Sequence, residues 1–425
     1  MRNKLLEMMF QMERWEGLIN KADLKGIDKG ELRQYCKPEV RAALYQWILQ
    51  DDSMFPPSRM VQIPKDTPGE YRTVFVGETC ERILCSLIND CLFELFPELV
   101  HPACKSYQKG IGTGKVVLEV VNTLKTIKGN IVGCKGDYHH YFDVIKRESI
   151  LHMFDVVEQK LGYEKNTEPV TNLLRRTWNS DLVFDLDGNL IEQYNGIRQG
   201  NAIGSWLADA ILYEADKYMA NKYKFYCRYS DDFLVITDKP QEALNDMARL
   251  VAPHGVKLHP TKTEILTKDK WFKFLGYNIK HDQITLSKGR VKSFQKEISA
   301  RTTKLPRISL KKAVNSVNSY LYKGDGTFSW ATSVLPIINV QKDIDALNEY
   351  ILDSLRACAT GKKKIGGLGV VMNKDDYTIL RGTGKNVAAN KLKTEKEIEG
   401  FLSLRCMQNA LLCNRAVYDT LVRGL

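Results

Sequence analysis

Tyr229-Ser230-Asp231-Asp232-Phe233 sets two adjacent carboxylates between two runs of strand-forming residues, Lys-Phe-Tyr-Cys-Arg-Tyr ending at Tyr229 and Phe-Leu-Val-Ile-Thr starting at Phe233. Aromatic and β-branched residues suit strands, and a polar Ser-Asp-Asp suits a turn, so the stretch predicts a β-hairpin with both acids at its tip. Side chains alternate between faces along a strand, but a tight turn lets neighbours converge, and hard divalent cations take oxygen ligands. An ordinary surface turn reads the same way in isolation, because Asp also serves turns through local hydrogen bonds. The remaining acids must decide.

Upstream, Ile131-Val132-Gly133-Cys134-Lys135-Gly136 reads as a buried strand that delivers Asp137 at its end. Tyr138-His139-His140-Tyr141-Phe142-Asp143 follows, then a helical pattern from Val144 through His152. Asp137 is the natural third carboxylate. Asp143 falls in the entering helix, where an acid commonly faces the dipole of the first turn. Between these segments, Gly196-Ile197-Arg198-Gln199-Gly200 leads into a helix carrying Leu207, Ala208, Ile211 and Leu212. Glycines ahead of a helix start let a phosphate or nucleotide approach the backbone.

In this order the segments resemble a reverse transcriptase, specifically a bacterial one. Asp137 with Phe142, Gln199-Gly200, the Tyr229 to Asp232 hairpin, Lys262-Thr263 and Phe274-Leu275-Gly276-Tyr277 are similar to the palm motifs. Ile63-Pro64-Lys65, Tyr71-Arg72-Thr73-Val74, Glu81-Arg82-Ile83-Leu84 and Ser106-Tyr107-Gln108-Lys109-Gly110 resemble the fingers and the block after them. Coverage runs from Ile63 to Tyr277, about half the chain.

The resemblance implies an α+β right-hand polymerase. Its fingers would span 57–128, after an N-terminal helical segment 1–56, and its palm 129–284, with part of the fingers inserted. A helical thumb would span 285–340, followed by a basic C-terminal extension over 341–425. It implies two Mg²⁺ ions, with Mn²⁺ as a substitute, held by Asp137, Asp231 and Asp232, of which Asp232 is the more outlying ligand. Two-metal transfer uses such acids to bridge ions ~4 Å apart. Lys65 and Arg72 would grip the incoming triphosphate, Gln199 would touch its sugar and Gly200 would leave it room. Phe142 would stack beneath the sugar and exclude a 2′-hydroxyl, selecting dNTPs. Lys262 would protonate or neutralise the leaving pyrophosphate. Phe274, Leu275, Gly276 and Tyr277 would hold the primer. Gly204 and Trp206 depart from the commonest family pattern without removing any of these groups.

Charge is divided unevenly. From Thr285 onward there are 24 Lys and Arg against 12 Asp and Glu, whereas residues 1–284 carry 38 against 39. A basic third on a near-neutral body predicts a nucleic-acid clamp, since phosphate contacts supply most sequence-independent affinity. Val291, Phe294, Ile298, Leu310, Val314, Val317 and Leu321 follow helical spacing, interleaved with Lys292, Lys296, Lys311 and Lys312, and Pro306 predicts a break between two helices. Val340 to Ala359 predicts another amphipathic helix, and Lys362, Lys363 and Lys364 stand in a glycine-rich stretch that would bind RNA.

Forty-four per cent apolar and 27% charged residues are ordinary for a globular chain. The sequence has no long apolar run and no secretory h-region, which predicts a cytoplasmic protein without membrane partners. Ten cysteines without a C-x-x-C pair predict neither a zinc ribbon nor a disulfide framework, and Cys80, Cys85 and Cys91 read as buried thiols. The stripe Leu5, Met9, Met12 and Leu18 reads as packing, and His139 and His140 are expected to diverge at the helix entry. No nuclease-like Cys/His cluster or RNase H-like acidic tetrad stands out.

Within the resemblance, a short core with a distinct basic tail looks most like the defence-associated bacterial class that copies a structured noncoding RNA into a DNA strand. Template-independent or protein-primed synthesis of the abortive-infection type, a diversity-generating retroelement enzyme and a retron enzyme are the alternatives. A non-catalytic RNA-binding scaffold fits less well, because it has no need of three crowded carboxylates.

Overall fold

The computed structural model describes residues 3–360, apart from 22–23, 25, 66–68, 306–307, 309 and 324–328. They pack as two compact units, Met1–Lys109 with Gly133–Ile265, and Gly110–Val132 with the residues from Leu266 onward. Among the described residues no helix is long and apolar enough to cross a membrane.

In the first unit, strands β1 (Ser58–Pro64) and β2 (Tyr71–Val76) form an antiparallel pair. The short β4 (Leu182–Phe184) joins β1 in parallel, and β5 (Leu190–Glu192) closes the edge, giving the order β2-β1-β4-β5. A second sheet, most of whose residues fall in this unit, has the order β6-β7-β3-β8, from β3 (Ile131–Asp137), β6 (Phe225–Tyr229), β7 (Asp232–Ile236) and β8 (Glu264–Thr267). Its core positions are Cys134, Tyr226, Phe233 and Val235, buried with helix residues. Helix Thr79–Leu95 buries Ile83, Leu84, Leu87, Ile88, Cys91 and Leu92, the pairs recurring every four residues as a helix demands.

Three local expectations are corrected here. Met12 is 48% exposed while Leu5, Met9 and Leu18 are buried, because one helix ends at Met9 and the next begins at Met12, which interrupts the stripe. Cys85 and Cys91 are buried, but Cys80, in the first turn, is only half-buried. The helical pattern expected from Val144 is split: a single turn, Tyr141–Val144, is followed by extended backbone at Ile145 and Lys146 and then by helix Arg147–Leu161. The break is pinned from outside, since Lys146 N–H donates to the His254 carbonyl at 3.0 Å.

In the second unit, β9 (Phe272–Phe274), β10 (Tyr277–Lys280) and β11 (Gln283–Leu286) form an antiparallel meander. Helices Lys288–Arg301 and Leu310–Asn318 are separate, as Pro306 predicts, and bury Phe294, Ile298 and Val317, with Leu321 just beyond. Helix Gln341–Thr360 follows and buries Ile344 and Leu347. Lys292, Lys296 and Lys312 are exposed. The Lys311 side chain and all of 361–425, with Lys362, Lys363 and Lys364, lie outside the described residues.

Candidate active site

The acidic hairpin forms as its composition predicts. Strand β6 ends at Tyr229, β7 begins at Asp232, and Ser230 turns the chain with a left-handed φ of 59°. Pairing of β7 with β3 sets Asp232 directly opposite Asp137. The Tyr138 N–H donates to the Asp231 carbonyl at 3.0 Å, so Asp231 stands at the same end of the sheet. Three carboxylates from two segments nearly 100 residues apart in sequence thus share one sheet end.

Their electrostatics follow from that crowding. Burial, and then the charges of Asp231 and Asp137, push Asp232 up to about 7. Asp231 is raised by burial and by Asp137, against the opposing charges of Lys262 and Arg72. Lys262 Nζ lies 2.9 Å from Asp137 Oδ2, on a side chain that is half exposed. Among the described residues no group of three or more His, Cys, Asp or Glu side chains is gathered closely enough to hold a metal ion. The donor set nonetheless suits a hard divalent cation, being oxygen-only, buried at Asp137 and half-buried at Asp231 and Asp232, and mutually repelling, so that a cation would relieve the cost of crowding.

Arg72 and Lys65 reach this field from the β1–β2 hairpin. The charge of Arg72 acts on both Asp231 and Asp143, and that of Lys65 acts on Asp143. Lys65 also closes the hairpin, its N–H donating to the Glu70 carbonyl at 2.9 Å. Gln199 Nε2 donates to Asp143 Oδ1 at 3.2 Å, so Asp143 serves the Gln199 loop rather than a helix dipole alone. The same loop is tied to β2, where Phe75 N–H donates to the Gln199 carbonyl at 2.6 Å. Phe142 is half-buried, its carbonyl accepting from Ile197 N–H at 2.8 Å.

Gly200 has a φ of 104°, and a Cβ there would stand 2.9 Å from the Phe75 carbonyl oxygen. Both facts exclude a side chain without local movement. Gly200→Ala is expected to cost about 1–3 kcal/mol of stability and to displace Gln199, raising the KM for nucleotide. Thermal melts with steady-state incorporation check this, and unchanged values of both would show a tolerant loop.

The histidines are corrected. His139 and His140 do not diverge: the left-handed backbone of His140 folds the chain back, and their rings meet edge to face at 4.2 Å, with His259 at 5.1 Å from His139. In the second unit, Leu275 and Gly276 form a two-residue hairpin loop with φ of 47° and 81°, Phe274 and Tyr277 are paired and buried, and Arg290 lies over the Tyr277 ring at 4.5 Å.

One group has no counterpart in the motif reading. Arg228, Asp209 and Asp216 are fully buried behind the acidic hairpin. Their signal is a charge inside an apolar strand, Phe-Tyr-Cys-Arg-Tyr, and two acids on helices that are otherwise apolar on their buried faces.

Residues 63–279 match the profile of the family described as reverse transcriptase (RNA-dependent DNA polymerase). No curated protein matches the chain. Among solved structures, telomerase from Candida albicans in complex with a TWJ fragment of telomeric RNA is 13% identical, with a TM-score of 0.43 over 92% of this chain and 71% of that one. Apo telomerase from Candida tropicalis, truncated from its C-terminal domain, is 13% identical with a TM-score of 0.40, over 55% of each chain. With just over half its length matched by that profile, and with a mixed architecture of helices and antiparallel sheets, the chain belongs to the reverse transcriptase family, the RNA-dependent DNA polymerases of α+β right-hand fold.

Proposed function

We propose that this chain copies an RNA template into DNA by two-metal nucleotidyl transfer at the end of the β6-β7-β3 sheet. The observation that carries the reading is the β3–β7 register, which pairs Asp137 with Asp232 and leaves Asp231 on the adjoining turn. Reverse transcriptase domains depend on divalent metal, and here Asp137, Asp231 and Asp232 would hold Mg²⁺, or Mn²⁺ in its stead. Bound there, the metal would acidify the primer 3′-hydroxyl and stabilise the leaving pyrophosphate.

The chain's own residues do the rest. Arg72 and Lys65 neutralise the triphosphate from a two-stranded hairpin, a forked guanidinium and a point charge being suited to phosphate oxygens. Lys262, half exposed beside Asp137, is placed to give a proton or its charge to the pyrophosphate. Gln199 meets the sugar while Asp143 holds its amide, Gly200 leaves space, and Phe142 floors the pocket. Phe274, Leu275, Gly276 and Tyr277 hold the primer end. The parts correspond to fingers (57–128), palm (129–284), thumb (285–340) and a basic extension (341–425) behind the N-terminal helices (1–56).

The positive surplus after Thr285 supports a template that is a structured noncoding RNA, and with it a place in the bacterial defence-associated class, working in the cytoplasm. Purified protein given an RNA template, annealed primer, dNTPs and Mg²⁺ is expected to extend the primer, and no extension with either Mg²⁺ or Mn²⁺ would overturn the reading. Sequencing the copurifying nucleic acid is expected to return one RNA species, whereas DNA made with no RNA present would identify the template-independent alternative.

Neutralising Lys292, Lys296 and Lys312 together is expected to weaken RNA binding and flatten its salt dependence, each lost duplex phosphate contact removing up to about 0.9 from the log–log slope. Filter binding across a salt series reads this directly. An unchanged slope would remove these lysines from the clamp.

A further inference from the structure

Behind the acidic hairpin, Arg228 uses all five of its N–H donors. Nε and one terminal nitrogen form a fork on Asp216 at 2.8 and 2.7 Å, and Tyr226 donates to the same carboxylate at 2.7 Å. The remaining donors reach the carbonyls of Asp209 at 3.0 Å, Ala208 at 3.1 Å and Ser230 at 3.2 Å. Asp209 Oδ1 accepts from Ser106 at 2.6 Å, while its Oδ2 is buried without a hydrogen bond. Arg228 is also tied through its backbone, its N–H donating to the Ala103 carbonyl at 2.9 Å and its carbonyl accepting from Lys105 N–H at 2.8 Å.

A fully buried ion pair is a poor source of net stability, because desolvation offsets most of its attraction. Geometry is the better account of this one. The Ser230 carbonyl belongs to the peptide plane before Asp231, and the Asp231 carbonyl to the plane after it. Arg228 holds the first, at 3.2 Å, and Tyr138 N–H holds the second, at 3.0 Å. Two fixed planes fix φ and ψ of the residue between them, and with them the direction of its Cα–Cβ bond. Ser230 benefits from such a hold, since a non-glycine residue in the left-handed basin, here at a φ of 59°, lies roughly 1–2 kcal/mol above the right-handed one.

We propose that Arg228 is a positioning residue for Asp231: its guanidinium clamps the Ser230–Asp231 peptide from the buried side and so sets the affinity of the acidic site for its divalent cation. The inference rests on the reading of Asp137, Asp231 and Asp232 as metal ligands. Lysine cannot replace the clamp, because one ammonium cannot span Asp216 and three carbonyls in a planar fork.

The test measures metal directly as well as turnover. Mn²⁺ binding is read by electron paramagnetic resonance on the complex with primer-template and dNTP, with a primer that lacks its 3′-hydroxyl so that no reaction occurs. Arg228→Lys is expected to weaken Mn²⁺ binding by about 10–100-fold and to lower kcat by a similar factor, as loss of a partner that orients a ligand typically does. The KM for dNTP should stay within about threefold, because the triphosphate contacts lie on the β1–β2 hairpin. Arg175→Lys is the control, since Arg175 is a largely buried arginine paired with Asp155 at 2.8 Å and Glu158 at 2.9 Å. It is expected to lower the melting temperature and leave Mn²⁺ binding unchanged.

Should Arg228→Lys not fold, Arg228→Met with Asp216→Asn removes the Arg228–Asp216 ion pair at nearly constant volume, leaves Asp209 in place and carries the same expectation. Wild-type Mn²⁺ affinity in a folded Arg228 variant would overturn the inference while leaving the active site standing. Absence of Mn²⁺ binding and of extension in the wild type would overturn both.

Discussion

Asp231→Asn combined with Asp232→Asn is expected to lower nucleotide incorporation by at least about a thousandfold, because a metal-organised site supplies several kcal/mol of transition-state stabilisation. The isosteric amides keep the turn and the β3–β7 pairing while removing two charges. RNA binding should persist, since a template is gripped through its phosphates by cations, not by these acids. Incorporation near the wild-type rate would sink the polymerase assignment of the hairpin.

Stability should move the opposite way, and its pH dependence has a definite sign. Burial, and then the charges of Asp231 and Asp137, hold Asp232 at about 7 in the folded chain, well above the roughly 3.9 of an unfolded aspartate. The folded state therefore keeps a proton that the unfolded chain releases from about pH 4 upward, so stability at this site falls as pH rises from about 4 to 7. In chelator-treated buffer the double Asn variant is expected to melt above the wild type at pH 8 and close to it at pH 4. A lower melting temperature at pH 8 would mean that the lost activity reflects a damaged fold.

Much of the fold was readable in residue types, because the informative contacts are local. Strand, turn and strand around Asp231 follow from β-formers flanking Ser-Asp-Asp, and the break between helices Lys288–Arg301 and Leu310–Asn318 follows from Pro306. The errors arise where distant segments intervene. Nothing near Val144 announces that the His254 carbonyl will capture the Lys146 N–H and divide the helix. Nor does a His-His pair disclose that His140 adopts a left-handed backbone and turns its ring against His139. The buried Arg228 fork joins β6 to two helices and to the turn, so its meaning depends on four segments at once. Motif reading finds groups that touch substrate, and it passes over groups that aim them.

Phe142→Val is expected to raise the use of ribonucleotides relative to deoxynucleotides about thirtyfold, the ratio that follows from removing a steric clash of ~2 kcal/mol against the 2′-hydroxyl. The surroundings explain why the ring should act as a rigid wall. Its backbone carbonyl is fixed by Ile197 N–H at 2.8 Å, its ring packs edge-on to Tyr141 at 5.6 Å, and the position a Cβ would take on Gly204 lies 3.7 Å from its Cε1 atom. A Cβ there would meet the ring in ordinary contact, its tighter approach being to Ile197 Cγ2 at 3.0 Å. Next along the chain, Asp143 holds Gln199, so the group proposed to meet the sugar and the group proposed to exclude its hydroxyl are set by one short helical turn, Tyr141–Val144. Valine keeps that turn and shortens the wall, at a stability cost of about 1–2 kcal/mol for a half-buried ring. The discriminating measurement is the ratio of kcat/KM for each rNTP to that of its dNTP on one primer-template. A change in selectivity with the dNTP value nearly preserved identifies the gate, whereas equal loss for both sugars would identify Phe142 as a packing residue and send the search to another side chain.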